Sequence, residues 1–123
     1  MLLDKIDPRQ RAWVEVKPEA IEANVLAIRK SLLSSNCMLM AVVKADGYGH
    51  GAVTVARAAL KGGAANLGVA TLQEGIDLRQ AGITTPILLL GNLTNAQEID
   101  LCLTWNLMLT INSAREIDLC EKL

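Results

Sequence analysis

Asn66-Leu-Gly-Val-Ala-Thr-Leu-Gln-Glu-Gly-Ile-Asp-Leu-Arg-Gln-Ala-Gly-Ile-Thr-Thr-Pro-Ile-Leu-Leu-Leu90 reads as a strand, a helix and a second strand with little between them. The opening run, Asn66–Ala70, is apolar after its first residue. Thr71-Leu-Gln-Glu74 then matches the S/T-x-x-E/Q capping box, in which two side chains satisfy orphan backbone N–H groups at a helix start. Leu72, Ile76 and Leu78, with polar Gln73, Asp77 and Arg79 between them, keep the helical period. Gly82 supplies a left-handed closing position, and Pro86 admits the next apolar run, Ile87–Leu90.

The same pattern recurs on both sides. Apolar runs at Arg11–Lys17, Met38–Val43 and Leu107–Ile111 read as further strands, and amphipathic segments at 18–33, 51–61, 72–81, 94–105 and 113–122 read as helices. Pro18 is expected to open the first helix, where a missing N–H costs little. Thr94-Asn-Ala-Gln97 and Ser113-Ala-Arg-Glu116 repeat the capping box, and Gly62-Gly63 offers left-handed closing positions. The four runs that begin at 38, 66, 87 and 107 are nearly all apolar, as expected of parallel strands buried on both faces. This is serial βα architecture, an α/β fold. Four βα units could close a flavodoxin-like doubly wound sheet or form the N-terminal half of a (β/α)8 barrel. The chain stops inside the helix pattern opened at Ser113, which favours the half-barrel.

Composition narrows the function classes. Twelve basic and 13 acidic residues leave a net charge of −1, and the aromatic residues are two Trp, one Tyr and no Phe. Neither a basic face nor an aromatic stacking platform is available for nucleic acid. The longest apolar run, Cys37–Val43, is far short of the ~20 residues that span a membrane. Asp4, Lys5 and Asp7 interrupt the N-terminus too early for a secretory leader, so a cytoplasmic location is expected. Cys37, Cys102 and Cys120, with a single His, fit neither a metal site nor a disulfide framework, and are expected to pack in the core. Met38, Met40 and Met108 are expected there too, with Trp105 packing on the strand that follows it.

The chemistry concentrates in Ala41-Val-Val-Lys-Ala-Asp-Gly-Tyr-Gly-His-Gly51. Strand alternation puts Met40, Val42 and Lys44 on one side, with Lys44 at the strand's carboxyl end, where α/β folds bind ligands. An amine at the end of an apolar row stands beside a low-dielectric wall, which favours the neutral form that attacks carbonyls. Gly47, Gly49 and Gly51 let backbone approach a ligand, and Tyr48 can hydrogen-bond an anionic group. Singly, each residue has a plainer reading: Lys44 a solvated rim charge, Tyr48 a lid on the core, His50 a helix opener, the glycines turn geometry. Asp46 reads as a turn former, and Glu74 and Glu116 as helix caps.

Together the eleven residues resemble the pyridoxal phosphate attachment motif of bacterial alanine racemases, whose pattern is close to AVVKAxAYGHG, with Gly47 in place of the usual Ala. Arg11-Ala-Trp-Val-Glu-Val, Ile21-Glu-Ala-Asn-Val, Gly68 to Ile83 and Pro86-Ile-Leu-Leu-Leu-Gly91 resemble further segments of that family. The resemblance implies that Lys44 forms an internal aldimine with pyridoxal 5'-phosphate and serves as a base at the substrate α-carbon. It also implies that Tyr48 binds the cofactor phosphate and that Val42 and Leu90 are apolar neighbours of the cofactor; no metal ligands are expected, on the cysteine and histidine pattern given above. The enzyme would interconvert L- and D-alanine as a homodimer, supplying D-alanine for the bacterial cell wall; a serine racemase of the same fold, or a non-catalytic cofactor-binding fragment, is the alternative. Residues 1–123 would form a partial N-terminal barrel domain. An opening strand at about 11–17 belongs to a C-terminal β-domain that is absent, and a helix and four βα units fill 18–123. The opposite-face base, a tyrosine in that family's C-terminal domain, has no counterpart here because Tyr48 is already assigned, so this chain alone is expected to be inactive.

Overall fold

A computed structural model describes residues 12–32 and 36–123. In chain order they form α1 (Pro18–Ser31), β1 (Met40–Val42), α2 (Lys44–Tyr48), α3 (Ala52–Lys61), β2 (Asn66–Val69), α4 (Leu72–Gln80), β3 (Ile87–Leu89), α5 (Ala96–Thr104), β4 (Met108–Leu109) and α6 (Ala114–Glu121). The four strands are parallel and lie in the order β1-β2-β3-β4, with Val42 opposite Gly68, Gly68 opposite Leu88, and Leu88 opposite Met108. Sequential order decides between the two architectures. A doubly wound sheet reverses its direction of travel at a switch point, whereas a barrel adds each strand beside the last. This is the strand arrangement of a (β/α)8 barrel fragment.

Successive crossovers of one hand put the helices on one face of the sheet. Leu67, Val69, Ile87 and Leu89 are fully buried against Ala56, Leu78, Ile99 and Cys102 of the helices. The alternate residues point the other way: Val42 is 38% exposed, Leu90 41% and Met108 42%. The expectation of strands buried on both faces is therefore corrected. The described helices cover one face, and the other is the surface that a closed barrel turns toward its own interior. Met40 and Met108 lie on that open face rather than in the core, and Met38 lies before β1, largely in solvent.

Local signals set most element ends. Pro18 occupies the first turn of α1, and a complete capping box joins Thr71 to Glu74. The cap of α5 is Asn95, one residue beyond the expected Thr94. Asn95 Oδ1 accepts the Glu98 N–H at 2.9 Å, and the Glu98 carboxylate holds the Thr94 N–H at 3.0 Å. Ser113 caps α6 as expected. Gly62 is not left-handed (φ −71°); it is glycine because a Cβ there would lie 2.6 Å from the Glu22 carbonyl oxygen of α1. Gly63 takes the positive φ instead. A 2.8 Å Lys61–Glu22 ion pair lies across the same α1–α3 junction.

The strand expected over 11–17 is not formed at 12–17, and residue 11 lies outside the described residues. Trp13 and Val14 stand 73% and 81% exposed, and among the described residues no strand pairs with them to make the ladder bonds that define a strand. Cys37 is exposed, contrary to expectation, while Cys102 is buried, Cys120 partly buried, and Trp105 packs against the core. No described helix is long and apolar enough to cross a membrane.

The amino ends of β3 and β4 are joined through Arg79. Its guanidinium donates to the carbonyl oxygens of Ile83 (2.8 Å), Thr85 (2.7 Å), Trp105 (3.0 Å) and Asn106 (2.7 Å), tying the α4–β3 and α5–β4 loops together. Burial pushes its pKa below the usual value.

Candidate active site

At the opposite, carboxyl end of the sheet, β1 remains bonded to β2 through the Val43 N–H and the Gly68 carbonyl at 2.8 Å. Lys44 follows, half-buried, and the chain then winds in the wrong hand for L-residues. Ala45, Asp46, Gly47 and Tyr48 have φ of 52°, 55°, 62° and 54°, so α2 is a left-handed turn closed by Gly47 N–H to Val43 O (2.9 Å) and Gly49 N–H to Ala45 O (3.0 Å). Such a backbone costs roughly 1–2 kcal/mol per non-glycine residue, and persists where surroundings over-determine it, commonly at functional sites.

The surroundings here can be named. Asp46 Oδ1 accepts the Ala52 N–H at 2.8 Å, pinning the turn to the start of α3 and bearing out Asp46 as a turn former. Gly47 is seated under Val55, whose Cγ2 would be 2.8 Å from a Cβ on that glycine. Glu74 Oε1 accepts the Ala45 N–H at 2.9 Å. Tyr48, at the end of the turn, is 61% exposed, and His50 Nδ1 lies 3.0 Å from the Tyr48 carbonyl oxygen.

Beside Lys44 the open face has a shallow floor. A Cβ built on Gly68 would lie 3.3 Å from Met40 Sδ, 3.4 Å from Val42 Cγ2 and 3.5 Å from Leu90 Cδ1. Val42 and Leu90 are thus brought together around a position that has no side chain. This methyl-sized hollow lies on the open face of the sheet, and Lys44 follows Val42, one of its walls, by two residues along the chain. Two parts of this site were missed from sequence. Gly68 looked like one more strand residue, and Glu74 looked only like a cap. A glycine inside an apolar strand was the available signal for the first; nothing local marks the second.

Glu74 accepts three backbone N–H groups, from Ala45, Ala70 (2.7 Å) and Thr71 (3.1 Å). Burial acts to raise its pKa, but the three donors and the nearby Lys44 charge outweigh burial and hold the carboxyl below the usual range. Cys102 is fully buried in the core cluster, and burial pushes its thiol pKa up, with Cys120 adding to the effect.

The family model described as alanine racemase, N-terminal domain, matches residues 16–123. The chain belongs to this family. It is 68% identical to an alanine racemase of Prochlorococcus marinus over 123 residues, which is all of this chain and 32% of that protein. An alanine racemase of a Nostoc species is 54% identical over 107 residues, 87% of this chain and 28% of the relative. Among solved structures, alanine racemase from E. faecalis superposes with a TM-score of 0.82 at 38% identity, covering 87% of this chain and 28% of that one. The Bacillus anthracis alanine racemase with bound L-Ala-P gives 0.82 at 41% identity, covering 90% and 28%. The racemase-family chain therefore spans about a third of the length of the curated relatives it matches.

Proposed function

We propose that this chain carries the cofactor-attaching part of a pyridoxal phosphate-dependent alanine racemase, one that interconverts L- and D-alanine in the cytoplasm and supplies D-alanine for the cell wall. The observation that carries the reading is the placement of Lys44. It stands at the carboxyl end of β1, at the head of a left-handed turn, two residues beyond Val42, which with Leu90 walls the hollow at Gly68.

The residues present fit the group. Lys44 would hold its aldehyde carbon, Tyr48 would donate a hydrogen bond to its phosphate, and Val42 and Leu90 would flank the ring and exclude water from one side. When bound, the cofactor supplies an electron-withdrawing ring that acidifies the α-proton of an amino acid. The Lys44 amine would then be the group that holds or moves a proton on one face of the α-carbon. Inversion needs a second group to move a proton on the other face. The single Tyr is committed to the phosphate, and the single His50 is exposed beside the Tyr48 carbonyl. In this reading the 123 residues would hold the cofactor and supply one of the two proton-moving groups that inversion needs. The second base and the homodimer belong to the whole protein, whose remaining strands would cover the open sheet face.

An absorbance titration of the chain with pyridoxal phosphate, run beside Lys44→Ala, tests the reading. The expected result is a visible band that the variant lacks and that borohydride bleaches as it fixes the cofactor covalently to Lys44. Equal binding by both chains would overturn it.

A further inference from the structure

The N–H of Ala45 is the first backbone donor after Lys44, and its partner lies 29 residues away on another element, Glu74 Oε1. Oε2 of the same carboxylate accepts from Ala70 and Thr71, and the Glu74 N–H donates to Thr71 Oγ1 at 3.2 Å. A capping box requires only the reciprocal pair with Thr71; the bond to Ala45 is additional to it. Glu98 and Glu116 occupy the same position in α5 and α6. Among the described residues they reach the N–H of Thr94 and of Asn112, each within its own loop. Glu74 alone of the three is bonded to the turn after Lys44.

That turn needs outside support. Its left-handed residues include Ala45, Asp46 and Tyr48, none of which prefers the conformation, and Asp46 braces only the far end, at Ala52. The near end, where the chain leaves Lys44, is held by Glu74.

We propose that Glu74 is a positioning residue for Lys44: one carboxylate bridges the start of α4 to the left-handed turn, fixing the peptide after Lys44 and so the aim of its amine and the course of the turn that carries Tyr48. The proposal rests on the reading of Lys44 given above. A carboxylate is the suitable group because two oxygens must serve three N–H donors. Glutamine offers one acceptor oxygen and turns an NH2 toward the others, and aspartate is a methylene short.

Amide hydrogen exchange on the 123-residue chain tests the brace, read over residues 44–51 and normalised to residues 96–109. The chains compared are wild type, Glu74→Ala, Glu74→Gln and Thr71→Ala, the last of which weakens the same cap but leaves the Ala45 bond. Loss of a charge-assisted hydrogen bond predicts roughly ten- to a hundredfold faster normalised exchange over 44–51 in Glu74→Ala. A smaller rise is expected in Glu74→Gln and none in Thr71→Ala. Borohydride-trapped pyridoxal phosphate on Lys44 should fall with the same ranking. Equal exchange ratios in Glu74→Ala and Thr71→Ala would overturn the proposal and leave Glu74 a cap. If Glu74→Ala does not fold, Glu74→Gln against Thr71→Ala decides on the same criterion. A wild-type chain that traps no cofactor overturns the reading of Lys44, and the exchange ratio then reports on the brace separately.

Discussion

Replacing Arg79 by alanine removes four hydrogen bonds at once, all to carbonyl oxygens and all at the amino-terminal end of the sheet. Charge-assisted bonds contribute at least about 1.5 kcal/mol each, so a simple count approaches ~6 kcal/mol. Two features reduce it. Asn106 is exposed and Thr85 partly so, which lets water replace the lost donor at those carbonyls, and Arg79 itself carries a desolvation cost that vanishes with it. About 3 kcal/mol of lost stability is the expectation. For a chain of this size, that corresponds to a drop of roughly 12 °C in Tm. Arg79→Lys should lose about 2 kcal/mol, since one ammonium cannot span four acceptors held in a fork. Urea unfolding followed by circular dichroism, with m compared among the three chains, measures both. A loss below about 1 kcal/mol for Arg79→Ala at unchanged m would show that the loops hold without the guanidinium and would refute the reasoning.

Gly68→Ala should separate folding from binding. The new methyl meets Met40, Val42 and Leu90 at 3.3–3.5 Å, a tight but accommodated fit, so the melting temperature should hold or rise slightly. It also raises the floor of the hollow, and cofactor capture on Lys44 should weaken about tenfold or more; unchanged capture would mean that the ring sits elsewhere. Glu74 should shape the acid limb of the stability profile. Its folded pKa is depressed, so its contribution is fully present above the unfolded carboxylate value of about 4.3 and is lost as pH falls through the lower folded value. Lys44, Asp46 and Asp77 face the same region, and the first supports the ionised form. In Glu74→Gln the melting temperature should depend less steeply on pH below that point, and a superimposable acid limb would count against the assignment.

The division between legible and illegible features follows the range of the interactions. Helix starts at Pro18, Thr71 and Ser113 are chosen by side chains three residues apart or less, and these could be read directly. Even there, Thr94 and Asn95 are both competent caps. The choice fell to Asn95 because Glu98, not Gln97, is the residue whose N–H and carboxylate are both used. Strand order was open because the same series of apolar runs suits a doubly wound sheet or a barrel; only pairing across 20 or more residues distinguishes them. Sidedness was misjudged for a related reason. Val42, Leu90 and Met108 are apolar, as core residues are, but they face away from every described helix.

The site shows the same division within a few residues. Lys44, Val42 and Tyr48 were singled out by resemblance to a known motif and Leu90 by the resemblance of its strand, with strand alternation also pointing to Lys44 and Val42. The hand of the turn was not, because Ala45, Asp46 and Tyr48 carry no preference for positive φ strong enough to be read; their conformation depends on Ala52, Val55 and Glu74. Arg79 and Glu74 are two turns apart or less on α4, yet serve opposite ends of the sheet, one joining the amino-end loops and the other holding the turn after Lys44. In a βα barrel the amino ends favour stability and the carboxyl ends carry chemistry. Substitutions at Arg79 should therefore lower Tm without redirecting Lys44, while those at Glu74 should disturb Lys44 beyond what their effect on Tm explains.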